Sequence, residues 1–206
     1  MTWRSRFASA VLDGRTLSRR ILNRELERTL RGTTVRTVLD VGGAAGLRYR
    51  GLITSTRYWT IDVQTTLRPS LVGDAHHLPI ADGSVDLVLC IQVLEHCIRP
   101  DAVVRELFRI LAPGGRLVLS TVLLYELHGS PEDYYRFTVS ALRDLARPFT
   151  RVQVRTLGNR FVAVYDLTAA KSVSINSMFG RIAYRLGTAP SDRCPCGFLL
   201  DAVKGP

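Results

Sequence analysis

Along the first thirty residues the hydrophobic positions return every three or four. Leu17, Ile21, Leu22, Leu26 and Leu30 alternate with basic residues, so residues 15–31 are expected to form an amphipathic helix that ends near Gly32. The period then shortens. Four runs of branched and apolar residues follow, at 34–41, 57–63, 86–91 and 115–121, and each reads as a strand. Between the last two, Val103, Leu107, Ile110 and Leu111 share a helical face in a segment that stops at Pro113 and two glycines. Strands alternating with helices predict an α/β fold, a parallel sheet covered on both faces. The C-terminal third is less regular. Residues 138–149 read as a helix capped by Thr138, 150–157 as a strand, 160–187 as one or two helices, and 197–204 as a final strand.

A chain of 206 residues that is 46% hydrophobic suffices for one well-buried domain, so a single domain over 1–206 is expected. No apolar run approaches the roughly 20 residues that span a bilayer, and the opening fifteen residues lack a convincing cleavage region. A cytoplasmic placement is the expectation. Cys90 sits within an apolar run with Cys97 close behind it, while Cys194 and Cys196 are one residue apart, a strained spacing for a disulfide; all four are expected as reduced thiols that bind no metal. The net charge of +10 is nearly all arginine, because Lys171 and Lys204 are the only lysines. Such a charge attracts acidic partners: nucleic acid, anionic lipid or phosphorylated sugars. The densest set, Arg15, Arg19, Arg20, Arg24, Arg28 and Arg31, reads first as the solvated face of the N-terminal helix.

The run Val38-Leu-Asp-Val-Gly-Gly-Ala-Ala-Gly46 places an acid at the end of a strand and then a glycine-rich turn, where a ligand can approach the backbone closely. Its spacing is Asp40-x-Gly42-x-Ala44-x-Gly46, and Asp62 ends the next strand, where a carboxylate can accept two ribose hydroxyls. Here the chain resembles the class I S-adenosylmethionine-dependent methyltransferases, and the likeness continues in order. Residues 73–96 look like that family's adenine-contacting segment, and 105–121 like its helix, Pro-Gly-Gly turn and fifth strand. The resemblance implies a Rossmann-like, doubly wound, mostly parallel seven-stranded sheet with an antiparallel last strand and helices on both faces. It implies S-adenosyl-L-methionine as cofactor, with Asp40, Gly42 and Gly46 at the methionine moiety, Asp62 at the ribose, Asp74 and Ala75 at the adenine, and Ala44 and Gln92 also among the cofactor-binding residues. Ala44 is a departure, because the family usually has glycine there.

Methyl transfer from a sulfonium is an in-line displacement, so the protein positions the acceptor and, for a hydroxyl, removes its proton. His76 and His77 fall in the adenine segment, which leaves His96 and His128 as candidate bases. In related quinone O-methyltransferases a Glu-x-x-Glu-His pattern is associated with a divalent metal. Glu95 and His96 match it, but Gln92 replaces the first acid, so a magnesium ion is only a secondary expectation. His128 lies beyond the fifth strand, at the edge where open α/β sheets bind ligands, and is expected to be the catalytic base. Ser130, Pro131, Glu132 and Asp133 read as the capped start of a helical turn. From it Asp133, Tyr134, Tyr135 and Arg136 would face the acceptor, since aromatic faces and a planar donor fork suit a polar ring. The arrangement His-x-x-Pro-x-Asp-Tyr-x-Arg-Phe-Thr also resembles small stand-alone methyltransferases found with polysaccharide and glycolipid assembly.

The chain is therefore expected to hold an N-terminal helical extension (1–32), a cofactor half (33–125) and an acceptor half (126–206), and to O-methylate a sugar, oligosaccharide or glycolipid. An aromatic or polyketide-like acceptor is the rival enzymatic reading, and a non-catalytic cofactor-binding partner subunit the rival from another class. Nucleic acid is disfavoured, because no aromatic-basic stripe accompanies the charge. The N-terminal helix is a candidate surface for a homodimer.

Overall fold

The computed structural model describes residues 16–43, 49–128, 132–168, 178–189 and 193–206. They form α1 (Leu17–Leu30), β1 (Thr33–Val41), β2 (Ile53–Asp62), β3 (Leu71–Val72), β4 (Val85–Ile91), α2 (Pro100–Ile110), β5 (Leu111–Val122), α3 (Val139–Leu145), β6 (Arg151–Leu157), α4 (Arg160–Thr168), α5 (Met178–Gly187) and β7 (Gly197–Val203). The seven strands make one sheet in the order β3-β2-β1-β4-β5-β7-β6. The first five are parallel. β7 is antiparallel: Gly114 N–H donates to Lys204 O at one end of β5, and Leu123 N–H donates to Cys196 O just past the other. The expected sheet is thus observed, with the order reversing between β1 and β4.

The described residues divide into two compact units, those within 30–122, 127–155 and 198–206 in the larger, and those within 16–29, 123–126 and 156–197 in the smaller. In the larger unit Leu39 lies between Trp59 and Val88, and Asp40 between Thr60 and Leu89. β1 and β4 are buried along consecutive residues, as strands covered on both faces must be. α2 starts at Pro100, whose missing N–H costs nothing in the first turn, and buries Val103, Val104, Leu107 and Ile110. The ammonium of Lys204 closes the other end, donating to the carbonyls of Phe108, Arg109 and Leu111 at 2.8, 3.3 and 2.7 Å. Arg109 latches the preceding segment to α2 through Glu106, Asp82 and the carbonyls of Leu78 and Ile80. Two boundaries differ from the sequence expectation. β2 begins at Ile53, opposite Thr33, and β5 begins directly after α2, carrying Pro113–Gly115 as an irregularity between Leu111, opposite Val85, and Arg116, opposite Leu87.

In the smaller unit the apolar stripe of α1 is buried, as its period requires. Asp166 of α4 accepts from Leu17 N–H and Ser18 N–H at 2.8 and 2.9 Å, so a carboxylate distant in sequence caps α1. Asn159 caps α4 by accepting from Phe161 N–H, and its amide donates to the carbonyls of Leu186 and Ala189. With the apolar face of α1 occupied inside the chain, only its polar face is left for a second copy.

Candidate active site

The carboxyl ends of β1, β2, β4 and β5 meet where the strand order reverses, and the sequence-predicted groups divide between two sides of that edge. On the β1–β2 side Asp40 is 2% exposed and accepts from the Tyr58 hydroxyl at 2.8 Å. Burial, reinforced by the Asp40 charge, pushes the Tyr58 phenol far up, so it stays a donor. Gly42 N–H donates to Ile61 O at 2.8 Å, which folds the chain sharply after β1. Gly42 holds φ +69°, and a Cβ there would overlap Val93; one on Gly43 would overlap the Asp40 carboxylate. What this turn offers a ligand is therefore bare backbone. Asp62, at the end of β2, accepts from Gln64 N–H at 2.9 Å, and Asp74 from His76 N–H at 2.9 Å, with the His76 ring 2.6 Å from the same oxygen. Ala75 is buried beside them. Ala44 and Gly46 lie outside the described residues.

On the β4–β5 side Gln92 is left-handed, φ +58°, a strained conformation for a residue with a side chain, and its N–H donates to Ser120 O. The single turn Leu94–His96 follows. Glu95 is 0% exposed: Oε2 accepts from the Thr121 hydroxyl at 2.9 Å, while Oε1 and the Ser120 hydroxyl have no partner among the described residues. Burial pushes the Glu95 carboxyl up against the hydrogen bond from Thr121 and the nearby imidazoles. His96 and His128 meet edge to face, centroids 4.8 Å apart, and His96 Nδ1 lies 2.9 Å from Glu132 O. His128 Nδ1 lies 3.2 Å from Asp133 Oδ2, which also accepts the His128 N–H. Arg136 grips both Asp133 oxygens, and this guanidinium is the main reason the Asp133 carboxyl falls to about 2.

The segment 132–138 corrects one expectation. Ser130 and Pro131 lie outside the described residues, and from Glu132 to Thr138 no helical turn forms. The backbone N–H groups of Tyr134 and Tyr135 reach across to Glu95 O, at 2.9 and 3.2 Å, rather than back along their own chain. Thr138 does cap α3, accepting from Ala141 N–H. Asp133 faces both Arg136 and His128. Tyr135 donates to Ile98 O, and the Tyr134 ring is about half exposed. Glu95 and His96 turn to different partners, and no cluster of metal-ligating side chains occurs among the described residues, so these residues do not fit a magnesium site. Cys90, Cys97 and Cys196 are buried free thiols, and burial pushes those of Cys97 and Cys196 up to about 12. Tyr58 and Thr121 escaped the sequence reading, because each meets a carboxylate on another element, 18 and 26 residues away.

Residues 39–119 match the family described as a methyltransferase domain. Over this stretch the chain is similar to the S-adenosylmethionine-dependent methyltransferases. A malonyl-[acyl-carrier protein] O-methyltransferase of Methylococcus capsulatus is 49% identical over 51 residues, 25% of this chain and 18% of that protein. Norajmaline N-methyltransferase of Rauvolfia serpentina is 41% identical over 61 residues, 30% and 21% respectively. The matches thus span about a fifth of the length of these curated relatives. A chain of the complex between the Haloferax volcanii Trm112 methyltransferase activator and a methyltransferase shares the fold at TM-score 0.64 and 20% identity, over 100% of this chain and 98% of that one. The matched stretch contains the whole β1–β2 side and the Glu95–His96 turn; His128, Asp133 and Arg136 lie beyond it.

Proposed function

We propose that the protein methylates a hydroxyl of a sugar, oligosaccharide or glycolipid, with His128 as the base that takes the hydroxyl proton. The observation that supports this is the ordered row Arg136–Asp133–His128, in which a low-titrating carboxylate at Nδ1 orients the imidazole so that Nε2 receives the proton. Asp133 also stabilises the imidazolium that results. Asp133 and Arg136 therefore act on the acceptor through His128, and the Tyr134 ring is the group left to stack on a sugar face.

The bare backbone of Gly42 and Gly43, the fixed carboxylate of Asp40 and the strand-end acid Asp62 fit the cofactor. Asp40 and the glycine backbone would hold its methionine end, Asp62 the ribose hydroxyls, and Asp74, Ala75 and Gln92 the adenine side. When bound, S-adenosylmethionine supplies an electrophilic methyl on a sulfonium. The chain's own work is to orient the acceptor oxygen in line, exclude water from it and hold its proton on His128.

The test is a methyl-acceptor panel of free and partly methylated oligosaccharides, lipid-linked saccharides, and aromatic and polyketide-like metabolites, with products identified by mass spectrometry. A methyl ether on a saccharide supports the proposal. Turnover confined to the aromatic members, or methylation at nitrogen, overturns the acceptor assignment.

A further inference from the structure

In the smaller unit α4 and α5 leave surface without a partner among the described residues. Phe161, Val164 and Leu167 recur every three residues on α4, and Met178, Ile182 and Leu186 every four on α5, and these six side chains are 46–74% exposed. The opposite face of α4 is buried through Val162, Ala163 and Tyr165, so the outward residues are not a core facing the wrong way. Asn159, at the start of α4, bonds the carbonyls of Leu186 and Ala189, and Gly187 packs on Val162. The start of α4 therefore meets the end of α5.

The exposed charges on the two helices are of one sign. Arg181 and Arg185 fall three residues after Met178 and Ile182, beside the stripe, and Arg160 precedes Phe161. None of the three enters an ion pair among the described residues. Asp166, the one acid in the two helices, is buried against α1. Neither helix is long and apolar enough to cross a membrane. A second copy docked face to face would set arginine against arginine. An anionic bilayer suits both features at once, because apolar side chains enter the acyl boundary while guanidinium forks meet lipid phosphates.

We infer that the exposed apolar and basic residues of α4 and α5 are a peripheral binding surface for an anionic lipid bilayer. It stands apart from the acceptor assignment and is tested without turnover. The full chain is sedimented with vesicles of phosphatidylcholine, or of phosphatidylcholine mixed with phosphatidylglycerol, at low and high salt. Pelleting with the anionic vesicles, weakened by salt and absent with the neutral ones, is the expected result and needs no variant. Arg181→Gln with Arg185→Gln should weaken that partition about thirtyfold. Phe161→Gln with Ile182→Gln should weaken it about tenfold or more, with circular dichroism and melting temperature unchanged. The inference is overturned if the wild-type chain stays in the supernatant with anionic vesicles or if both double variants bind as it does. It is equally overturned by a concentration-dependent dimer that Ile182→Gln abolishes, which would make these helices a self-association surface.

Discussion

On the β1–β2 side of the sheet's carboxyl edge the surface is main chain, a turn in which two glycines leave no room for a Cβ and one buried carboxylate is pinned by a neutral phenol. On the β4–β5 side it is a relay of side chains: a buried carboxylate, two imidazoles in contact, and an aspartate gripped by an arginine. Backbone surfaces tolerate no added atoms but are indifferent to pH. Side-chain relays tolerate conservative replacement and respond to pH through every member. The difference suits one side to a fixed cofactor and the other to moving a proton.

The largest effect should come from filling the turn. Gly42→Val imposes a branched side chain at φ +69° and against Val93, and is expected to cost about 2–5 kcal/mol in denaturant unfolding and to remove S-adenosylhomocysteine binding by calorimetry. A variant that binds normally would show that the turn is not the cofactor surface. Next is Asp133→Asn, which keeps the shape but loses the charge that orients His128; turnover should fall at least about tenfold with cofactor affinity unchanged. Its pH signature has a definite sign. The folded Asp133 carboxyl lies below its ordinary value, so its stabilisation is complete above about pH 4 and is lost as pH falls towards about 2. The melting-temperature gap between wild type and Asp133→Asn should close over that window, and a constant gap would contradict the ion pair. Smallest is Tyr58→Phe, which takes one hydrogen bond from the buried Asp40 and should weaken cofactor binding about tenfold while leaving its pH dependence flat.

The two sides also differed in how far the sequence revealed them. The β1 run, Asp40, the glycine turn and Asp62 announce themselves locally, because branched residues make the strand and glycine is needed where it ends. Thr138 was legible for the same reason, since a cap bonds within three residues. Tyr58, Thr121 and the His96–His128 contact carry no such mark; their partners are set by strand order and register. The helical turn expected after Ser130 failed because local capping propensity lost to a tertiary acceptor, the carbonyl of Glu95, which took the amides of Tyr134 and Tyr135. Residues 160–187 were legible as helical, but which faces of α4 and α5 are outward depended on packing.

The central claim is that His128 removes the acceptor proton in a methyl transfer fed by the glycine-turn site. It is tested most directly by labelled-methyl transfer to the true acceptor with wild type and His128→Ala in parallel, each with its cofactor affinity measured by calorimetry. The predicted result is a rate lower by about 10²–10⁴-fold in the variant at unchanged affinity. Full rate in His128→Ala would contradict the account.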